Sequence, residues 1–375
     1  MIGNTIEYRL TRPVTFPFNL TNPKTIPTND TDPLYFPTPL QELTLAQQEQ
    51  VINQVIANVS AVVSSSSYTS NCTRCKDALQ AAKRAAQLAP TLTPDMMVTL
   101  CQKYAFHSNA TCVADFEAST FGAIWTQVLY FADLEGLDGQ YICNDLSSSF
   151  CPAPNTSHLD TTNLFPKPRP CEPKQWKSSG DRVKVLHMSD FHLDPRYSAG
   201  SEANCSSGLC CRTNVANTGV AAGQVSLASP LYGAYLCDSP YDLGLAALES
   251  IGPLTGTSKN GKANFAWTVY TGDLVSHDSQ TQLSRAYTEY AEVSIYEMFK
   301  NYVSGPIFPA LGNHDSNPEA IDAPHSLPGP LGQQQSWNYD HVASLWQHEG
   351  WIDAAAAAQA RTHVSLLCPN TKDVN

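Results

Sequence analysis

The chain lacks an apolar run long enough to cross a bilayer. No apolar segment of about 18 residues occurs among its 375 residues, which excludes a spanning helix. The stretch from Met1 to Leu10 has no basic part followed by an apolar part, so no signal peptide is visible. Basic residues are scarce: 22 Lys and Arg stand against 34 Asp and Glu, for a net charge of −12. Because binding to a phosphate backbone needs clustered basic side chains, we expect no nucleic-acid partner.

Cysteine, in contrast, is abundant. Twelve cysteines are more than a typical cytosolic protein of this size contains, and they indicate structural disulfides. Asn-x-Ser/Thr sequons, the acceptor sites of N-glycosylation, likewise indicate a protein of the secretory route. The sequons lie at Asn19, Asn29, Asn58, Asn71, Asn109, Asn155 and Asn204. Together these features predict a secreted protein, or one of a lysosomal or vacuolar lumen, with a natural amino terminus upstream of Met1.

Composition and periodicity divide the chain into four segments. Residues 1–67 form a leader rich in Pro, Thr and Asn, followed by an amphipathic helix over 43–63. Residues 68–155 are a helical block, and residues 156–181 are a proline-rich linker. From 182 to 375 strand-like and helix-like stretches alternate. The overall class is therefore α+β, with a small all-α domain before an α/β layered domain.

The helical block contains six cysteines between predicted helices over 76–88, 94–107 and 121–134. They are Cys72, Cys75, Cys101, Cys112, Cys143 and Cys151. The Cys72-x-x-Cys75 pair could bind zinc or support redox chemistry, but no histidine lies at a matching spacing. The order of cysteines and helices resembles a saposin B-type domain. That resemblance implies the disulfides Cys72–Cys151, Cys75–Cys143 and Cys101–Cys112 and a lipid-binding surface; the alternative is a purely structural helical domain.

Three β-like runs after residue 182 each end in a polar motif. These motifs are Asp190-Phe-His192, Gly272-Asp273 and Gly312-Asn313-His314-Asp315. Helical patterns over 241–251 and 280–303 lie between the runs. Because ligands bind at the carboxyl ends of strands in such sheets, we expect the motifs to meet there. His187 is interpreted as a hydrogen-bonded core residue rather than a metal ligand, and Trp267 and Tyr270 as packing residues of the strands.

The residue types of these motifs suit a metal centre. Asp190 and His192, two positions apart, leave a strand end on the same side and can share one cation. The Asp273 carboxylate can bridge two cations, and the Asn313 carbonyl can complete a shell without adding charge. Because the donors are nitrogen and oxygen, zinc is the expected metal.

The three motifs in this order resemble the calcineurin-like metallophosphoesterases. The resemblance implies that Asp190 and His192 hold the first of two divalent metal ions and that Asp273 bridges both. Asn313 would hold the second, and His314 would lie beside the scissile phosphate. Two such cations activate water and stabilise the phosphoryl oxygens during in-line attack.

A histidine near this centre is expected to protonate the departing alkoxide. His314 is the first candidate and His277 the second. The alternative for His277 is a loop histidine that makes a local hydrogen bond.

A saposin-type domain, a proline-rich linker and this phosphoesterase pattern together resemble the acid sphingomyelinase family. The cysteines after the first strand agree, since the family's pattern implies the disulfides Cys205–Cys210 and Cys211–Cys237. The resemblance implies hydrolysis of sphingomyelin to ceramide and phosphocholine, with the saposin-like domain presenting the sphingolipid from a membrane surface. Alternatives are an inactive lipid-binding protein and a phosphodiesterase acting on a different phosphodiester.

The sequence departs from that family at its carboxyl end. The family carries a single histidine and then a Gly-His-x-His pair after these motifs, whereas only isolated histidines follow Asp315 here. We therefore expect an incomplete metallophosphoesterase domain whose second metal is short of ligands. Cys171 and Cys368 are left outside the assigned disulfides.

Overall fold

The computed structural model describes residues 22–26, 32–155, 177–206 and 208–363. The described chain is mixed helix and sheet, as predicted, and forms two compact units. One unit comes from residues 38–96 and 128–183, and the other from residues within 1–37, 97–127 and 184–375. The division into segments 1–67, 68–155, 156–181 and 182–375 stays a prediction. Cys171, Cys368, Asn19 and Asn29 lie outside the described residues.

The amino-terminal half is helical, as predicted, but its second helix begins at Asn71, ahead of the predicted residue 76. Thr44 caps the first helix through a capping box with Gln47, and Ser70 caps the second. The chain passes between the two compact units within α3 and within α5. The helices are α1 Leu45–Ser64, α2 Asn71–Leu88, α3 Thr93–Lys103, α4 Asn109–Phe116, α5 Ala123–Phe131 and α6 Leu137–Leu146.

Disulfides hold these helices, and their pairing is the one that the saposin resemblance implied. The bonds are Cys72–Cys151, Cys75–Cys143 and Cys101–Cys112. Neither Cys72 nor Cys75 is therefore a zinc thiolate. Where α1 and α2 pack, the buried residues of α2 are alanines, which lets the two helices approach closely. No helix among the described residues is both long and apolar enough to cross a membrane.

The remaining elements build a layered α/β unit. Its main sheet is parallel, in the order β1-β4-β6, with Met188 opposite Tyr270 and Tyr270 opposite Pro309. A smaller sheet has the order β2-β3-β5. The elements are β1 Val185–Met188, α7 Tyr241–Thr255, β2 Ser258–Lys259, β3 Lys262–Asn264, β4 Trp267–Tyr270, α8 Arg285–Tyr302, β5 Val303–Ser304, β6 Ile307–Pro309, α9 Pro330–Gln335, α10 Trp337–Glu349 and α11 Ala354–His363.

One face of the main sheet covers the core and the other is exposed. Tyr270 is fully buried and packs edge-on against Phe299 of α8, with ring centroids 5.3 Å apart. Residues that alternate with the buried ones face outward, including Trp267. The prediction of packing is therefore right for Tyr270, whereas Trp267 is exposed; His187 is hydrogen-bonded as predicted but lies outside the core. His187 is exposed and bonded to Thr271, because its strand turns that side away from the helices.

Part of the leader belongs to the α/β unit. Ile26 lies in the main hydrophobic core of that unit. The Asp32 carboxylate accepts a 2.9 Å hydrogen bond from the Arg285 backbone N–H at the start of α8. The Tyr35 N–H donates to the Gln334 side chain at 2.8 Å. These contacts involve irregular backbone, and so no periodic pattern in the sequence announced them.

Candidate metal centre

The ligand motifs meet at the carboxyl edge of the main sheet. Because β1 and β4 run parallel, the loops that follow them continue side by side. The Asp190 N–H donates to the Gly272 carbonyl and the His192 N–H to the Asp273 carbonyl, each at 3.0 Å. The His314 N–H donates to the Asp273 carboxylate at 3.1 Å. The structure therefore brings together the motifs that the sequence predicted to meet.

The backbone at this edge is unusual in conformation. Asp190, His192 and Asp273 have φ angles of 57°, 41° and 61°, in the left-handed region that non-glycine residues rarely adopt. Such conformations cost about 1–3 kcal/mol each and persist where the surroundings enforce them. Gly272 and Gly312 allow this crossing: a Cβ on Gly272 would lie 2.1 Å from the Gly312 nitrogen.

Asp190, His192 and Asp273 form the first metal-binding group. One ligand atom from each lies within 4.8 Å of the others. His192 donates its Nδ1–H to the Val275 carbonyl at 2.8 Å, which leaves Nε2 as the ligand atom. Metal-binding histidines commonly use their second nitrogen in this way. Two carboxylates and an oriented imidazole fit a divalent cation that accepts nitrogen and oxygen donors.

His192, His277 and His314 form a second group by the same distance criterion. His277 stacks on His192 with ring centroids 4.0 Å apart. Asp238 holds His277 in place: its carboxylate accepts from His277 Nδ1 at 2.9 Å and from the His277 backbone N–H at 2.6 Å. The bond joins residues 39 positions apart, so it is not the local hydrogen bond of the alternative interpretation. Asp238 was missed in the sequence, although it directly follows Cys237.

His314 and Asn313 share an acidic neighbour. Asn313 donates its amide nitrogen to Glu319 at 2.8 Å, and His314 Nε2 lies 3.4 Å from the same carboxylate. Burial lowers the pKa of His314 below its ordinary value; Glu319 opposes this effect, and the neighbouring imidazoles add to it. Glu319 is a further residue that sequence reasoning missed.

Asp315, the last residue of its motif, ties two strand ends together. It is fully buried, and its carboxylate accepts backbone N–H groups of Asp273, Leu274 and Gly312 at 2.6–2.8 Å. Burial raises the pKa of Asp315 to about 7, although these three hydrogen bonds act to lower it. Asp315 therefore fixes the loop that carries Asp273, a role that its place in the motif did not reveal.

A buried charge network supports the loop that carries His277. Arg212, 4% exposed, donates Nε to Asp194 at 3.0 Å and pairs both terminal nitrogens with Asp278 at 2.5 and 2.8 Å. Asp278 also accepts from the hydroxyls of Ser276 and Tyr287. Burial opposes ionisation of Asp278, but the bonds from Arg212 outweigh it and hold its pKa below the ordinary value. Arg212 follows Cys211, whose bond to Cys237 forms as predicted, as does Cys205–Cys210.

Away from this site, Glu297, His348 and Glu349 form another compact group. Ion pairs already engage its members: Glu297 lies 3.6 Å from His348, and Lys300 lies 3.3 Å from Glu349. Burial raises the pKa of Glu349 from its ordinary 4.5 to about 7. The group is therefore an ion-pair cluster between α8 and α10.

The raised pKa of Glu349 predicts a pH-dependent stability. Since the unfolded chain releases this proton at lower pH than the folded protein does, stability falls as pH rises from about 4.5 to about 7. We expect Glu349→Gln to raise the free energy of unfolding by about 1–3 kcal/mol at about pH 8 and to leave it unchanged at about pH 4.5. Urea unfolding at both pH values measures this. The exposed Glu49→Gln on α1 is the control, and an equal effect of Glu349→Gln at both pH values would contradict the prediction.

Comparison with known proteins agrees with the site. Residues 183–369 match the model of the calcineurin-like phosphoesterase family. Sphingomyelin phosphodiesterase B of Dictyostelium discoideum is 29% identical over 57% of this chain and 31% of its own length. Sphingomyelin phosphodiesterase of Bos taurus is 32% identical over 48% of this chain and 26% of its own length. The human cyclic GMP-AMP phosphodiesterase is 31% identical over 47% of this chain and 32% of its own length. The chain thus spans about a third of the length of the curated relatives it matches.

The parallel strands and the ligand set at their carboxyl edge lie within the segment that matches the calcineurin-like phosphoesterase family. Over about half of its length, the chain is similar to sphingomyelin phosphodiesterases of this phosphoesterase type.

Proposed function

We propose that this protein is a metal-dependent phosphodiesterase that hydrolyses sphingomyelin to ceramide and phosphocholine. The observation that carries the proposal is the meeting of Asp190, His192 and Asp273 with His277 and His314 at one sheet edge. The similarity to sphingomyelin phosphodiesterases supports the choice of substrate.

In this proposal Asp190, His192, Asp273 and Asn313 hold two divalent cations, with zinc favoured by the mixed donors. When bound, the cations supply an activated water and stabilise negative charge on the phosphoryl oxygens. His192 is kept in its ligand tautomer by the Val275 carbonyl.

The proton for the departing ceramide oxygen comes from a histidine. Asp238 engages His277 through Nδ1, so Nε2 is the atom that exchanges a proton with the substrate. The His277 side chain is 51% exposed, which keeps it within reach of a bound headgroup. His314 is more buried and lies against Glu319, where it can contact the phosphate.

The helical unit offers a surface for lipid. An open cavity of about 380 Å³ is lined by Val128, Phe131, Ala132, Asp138, Tyr141 and Ile142. Phe131 and Tyr141 are each about two-thirds exposed, which is unusual for large apolar side chains that do not contact a partner. This apolar surface supports a saposin-like role in binding the membrane that contains the substrate.

A secreted or lumenal location is part of the same proposal. The disulfides require an oxidising compartment. The sequon asparagines at positions 58, 71, 109, 155 and 204 are all exposed, as glycosylation requires.

Turnover measurements with added zinc test the proposal. We expect the chain to release phosphocholine from sphingomyelin vesicles and His192→Ala to lose that activity about a thousandfold, since it removes a ligand. His187→Ala, an exposed histidine on the same sheet, is the matched control. Equal turnover by the wild type and His192→Ala, or its absence from both, would overturn the enzymatic role. Lipid binding in the absence of turnover would instead support the inactive lipid-binding alternative.

A nucleotide phosphodiester is a second candidate substrate, because the human cyclic GMP-AMP phosphodiesterase is as similar to the chain as the sphingomyelin enzymes. The same assay with a cyclic dinucleotide separates the two. The lipid proposal requires faster turnover of sphingomyelin.

A further inference from the structure

An exposed apolar loop lies within the segment closed by the Cys211–Cys237 disulfide, just before the catalytic edge. Residues 231–236, Leu-Tyr-Gly-Ala-Tyr-Leu, are called the 231–236 loop below. Leu231, Tyr232 and Leu236 are at least half exposed, and Tyr235 is fully exposed. The chain carries no Asp, Glu, Lys, Arg or His from residue 213 to residue 237, in a protein with a net charge of −12. The loop thus presents apolar side chains in a long uncharged stretch.

The large side chains occupy turn positions. Leu231 and Tyr232 form one turn, and Tyr235 and Leu236 form the next, closed by a 3.1 Å bond from the Cys237 N–H to the Ala234 carbonyl. Such positions usually hold Gly, Pro, Asn, Asp or Ser, whose side chains suit water. Leucine and tyrosine here expose apolar area at the tip of a loop, which indicates an interaction surface.

Both ends of the loop are fixed to the α/β unit. Before it, Ser229 is buried and exchanges backbone hydrogen bonds of 2.8 Å with Ser201 and Gly200. After it, Cys237 is bonded to Cys211. The exposure of the side chains is therefore set by the fold and does not result from an unattached segment.

The loop also leads directly into the site. Asp238, two residues after Leu236, holds His277 through both its carboxylate oxygens. The next residue, Ser239, donates its N–H to the His192 carbonyl at 3.0 Å. A surface that docks on the loop is thereby placed beside the residues that act on the phosphodiester.

We propose that the 231–236 loop inserts its leucine and tyrosine side chains into the lipid surface that contains the substrate. This inference rests on the proposed function. A lipid surface fits better than a protein, because the loop offers no charge for pairwise recognition and combines aliphatic with tyrosine side chains, the combination suited to a membrane interface. The absence of acidic residues also avoids repulsion from anionic headgroups.

Flotation with vesicles of phosphatidylcholine and sphingomyelin tests the proposal. The double variant Leu231→Ser/Leu236→Ser removes apolar area while retaining residues that are common in turns. We expect its vesicle partition coefficient to fall about tenfold, since each leucine contributes buried methylene groups. The matched control is Leu254→Ser, the same substitution at an 82% exposed site on α7. The loop variant and the Leu254→Ser control are also compared in a Phe131→Ser/Tyr141→Ser background, which removes the proposed lipid contact of the helical unit.

A soluble substrate separates this inference from the proposed function. We expect the loop variant to hydrolyse bis(para-nitrophenyl) phosphate at the wild-type rate, with loss confined to vesicle substrate. If the wild type hydrolyses neither the soluble phosphodiester nor the vesicle substrate, the proposed function fails. Flotation still decides the role of the loop in that case. Unchanged partition of the loop variant, or a wild type that does not float, would overturn the inference. So would a wild-type dimer that becomes a monomer in the variant, because the loop would then cover a second copy.

Discussion

Replacing Asp273 by asparagine is expected to abolish binding of two metal ions and to reduce phosphodiester hydrolysis about a thousandfold, since the charge stabilisation at stake is several kcal/mol. The carboxylate lies within ligand distance of Asp190 and His192 and accepts the His314 N–H at 3.1 Å. Asparagine has the same shape and keeps an oxygen for that N–H. The expected loss is therefore specific to the charge that Asp273 would supply as the proposed bridging ligand.

Elemental analysis of the purified protein and turnover of a soluble phosphodiester measure this effect. Asp242 is an exposed aspartate at the start of α7, and Asp242→Asn is the matched control. It should change neither the metal content nor the turnover. An unchanged melting temperature would show that Asp273→Asn keeps the fold. Retention of the wild-type metal content by Asp273→Asn would contradict the assignment of Asp273 as a bridging ligand.

Replacing Arg212 by methionine is expected to lower the free energy of unfolding by about 3–5 kcal/mol, because it leaves the buried Asp194 carboxylate without a charged partner and Asp278 with Arg196 alone. Asp194 and Asp278 are almost fully buried, and Arg212 bonds both. Arg212→Lys keeps the charge but cannot pair with both carboxylates in the same way, so we expect an intermediate loss. Adding Asp194→Asn to Arg212→Met should recover part of the stability, since the uncompensated buried charge is then removed.

Urea unfolding measures these changes, with the exposed Arg182→Met as control. If Arg212→Met were no less stable than Arg182→Met, the network would not stabilise the fold. We also expect Arg212→Met to impair catalysis, because Asp278 adjoins His277.

The sequence was most informative where adjacent residues share one function. Asp190 and His192 lie two positions apart at a strand end, and such spacing brings both side chains to one edge in any parallel sheet. The helical pattern over 43–63 was likewise readable, because apolar spacing acts within a few turns, and α1 spans Leu45–Ser64. The disulfide pairs came from a family resemblance, because spacing by itself leaves many pairings open.

The sequence was least informative where two interacting residues are distant in the chain. Arg212 lies 18 residues from Asp194 and 66 from Asp278, and no local pattern marks such a pair. Burial on the strands was misjudged for the same reason. His187, which pairs with Val269, and Trp267 lie on the face of the sheet opposite Tyr270, and which face the helices cover is decided by the packing of α8.

The sequence by itself determined the chemistry available to this protein: the ligand motifs, the strands that end in them and the cysteines of an oxidised chain. These follow from residue type and spacing, which act over a few bonds. Only the tertiary structure decided that Asp238 orients His277, that Asp315 ties the strand ends together, and that the 231–236 loop stands exposed beside them. Those relations depend on burial and on contacts between distant segments, which arise only when the chain packs.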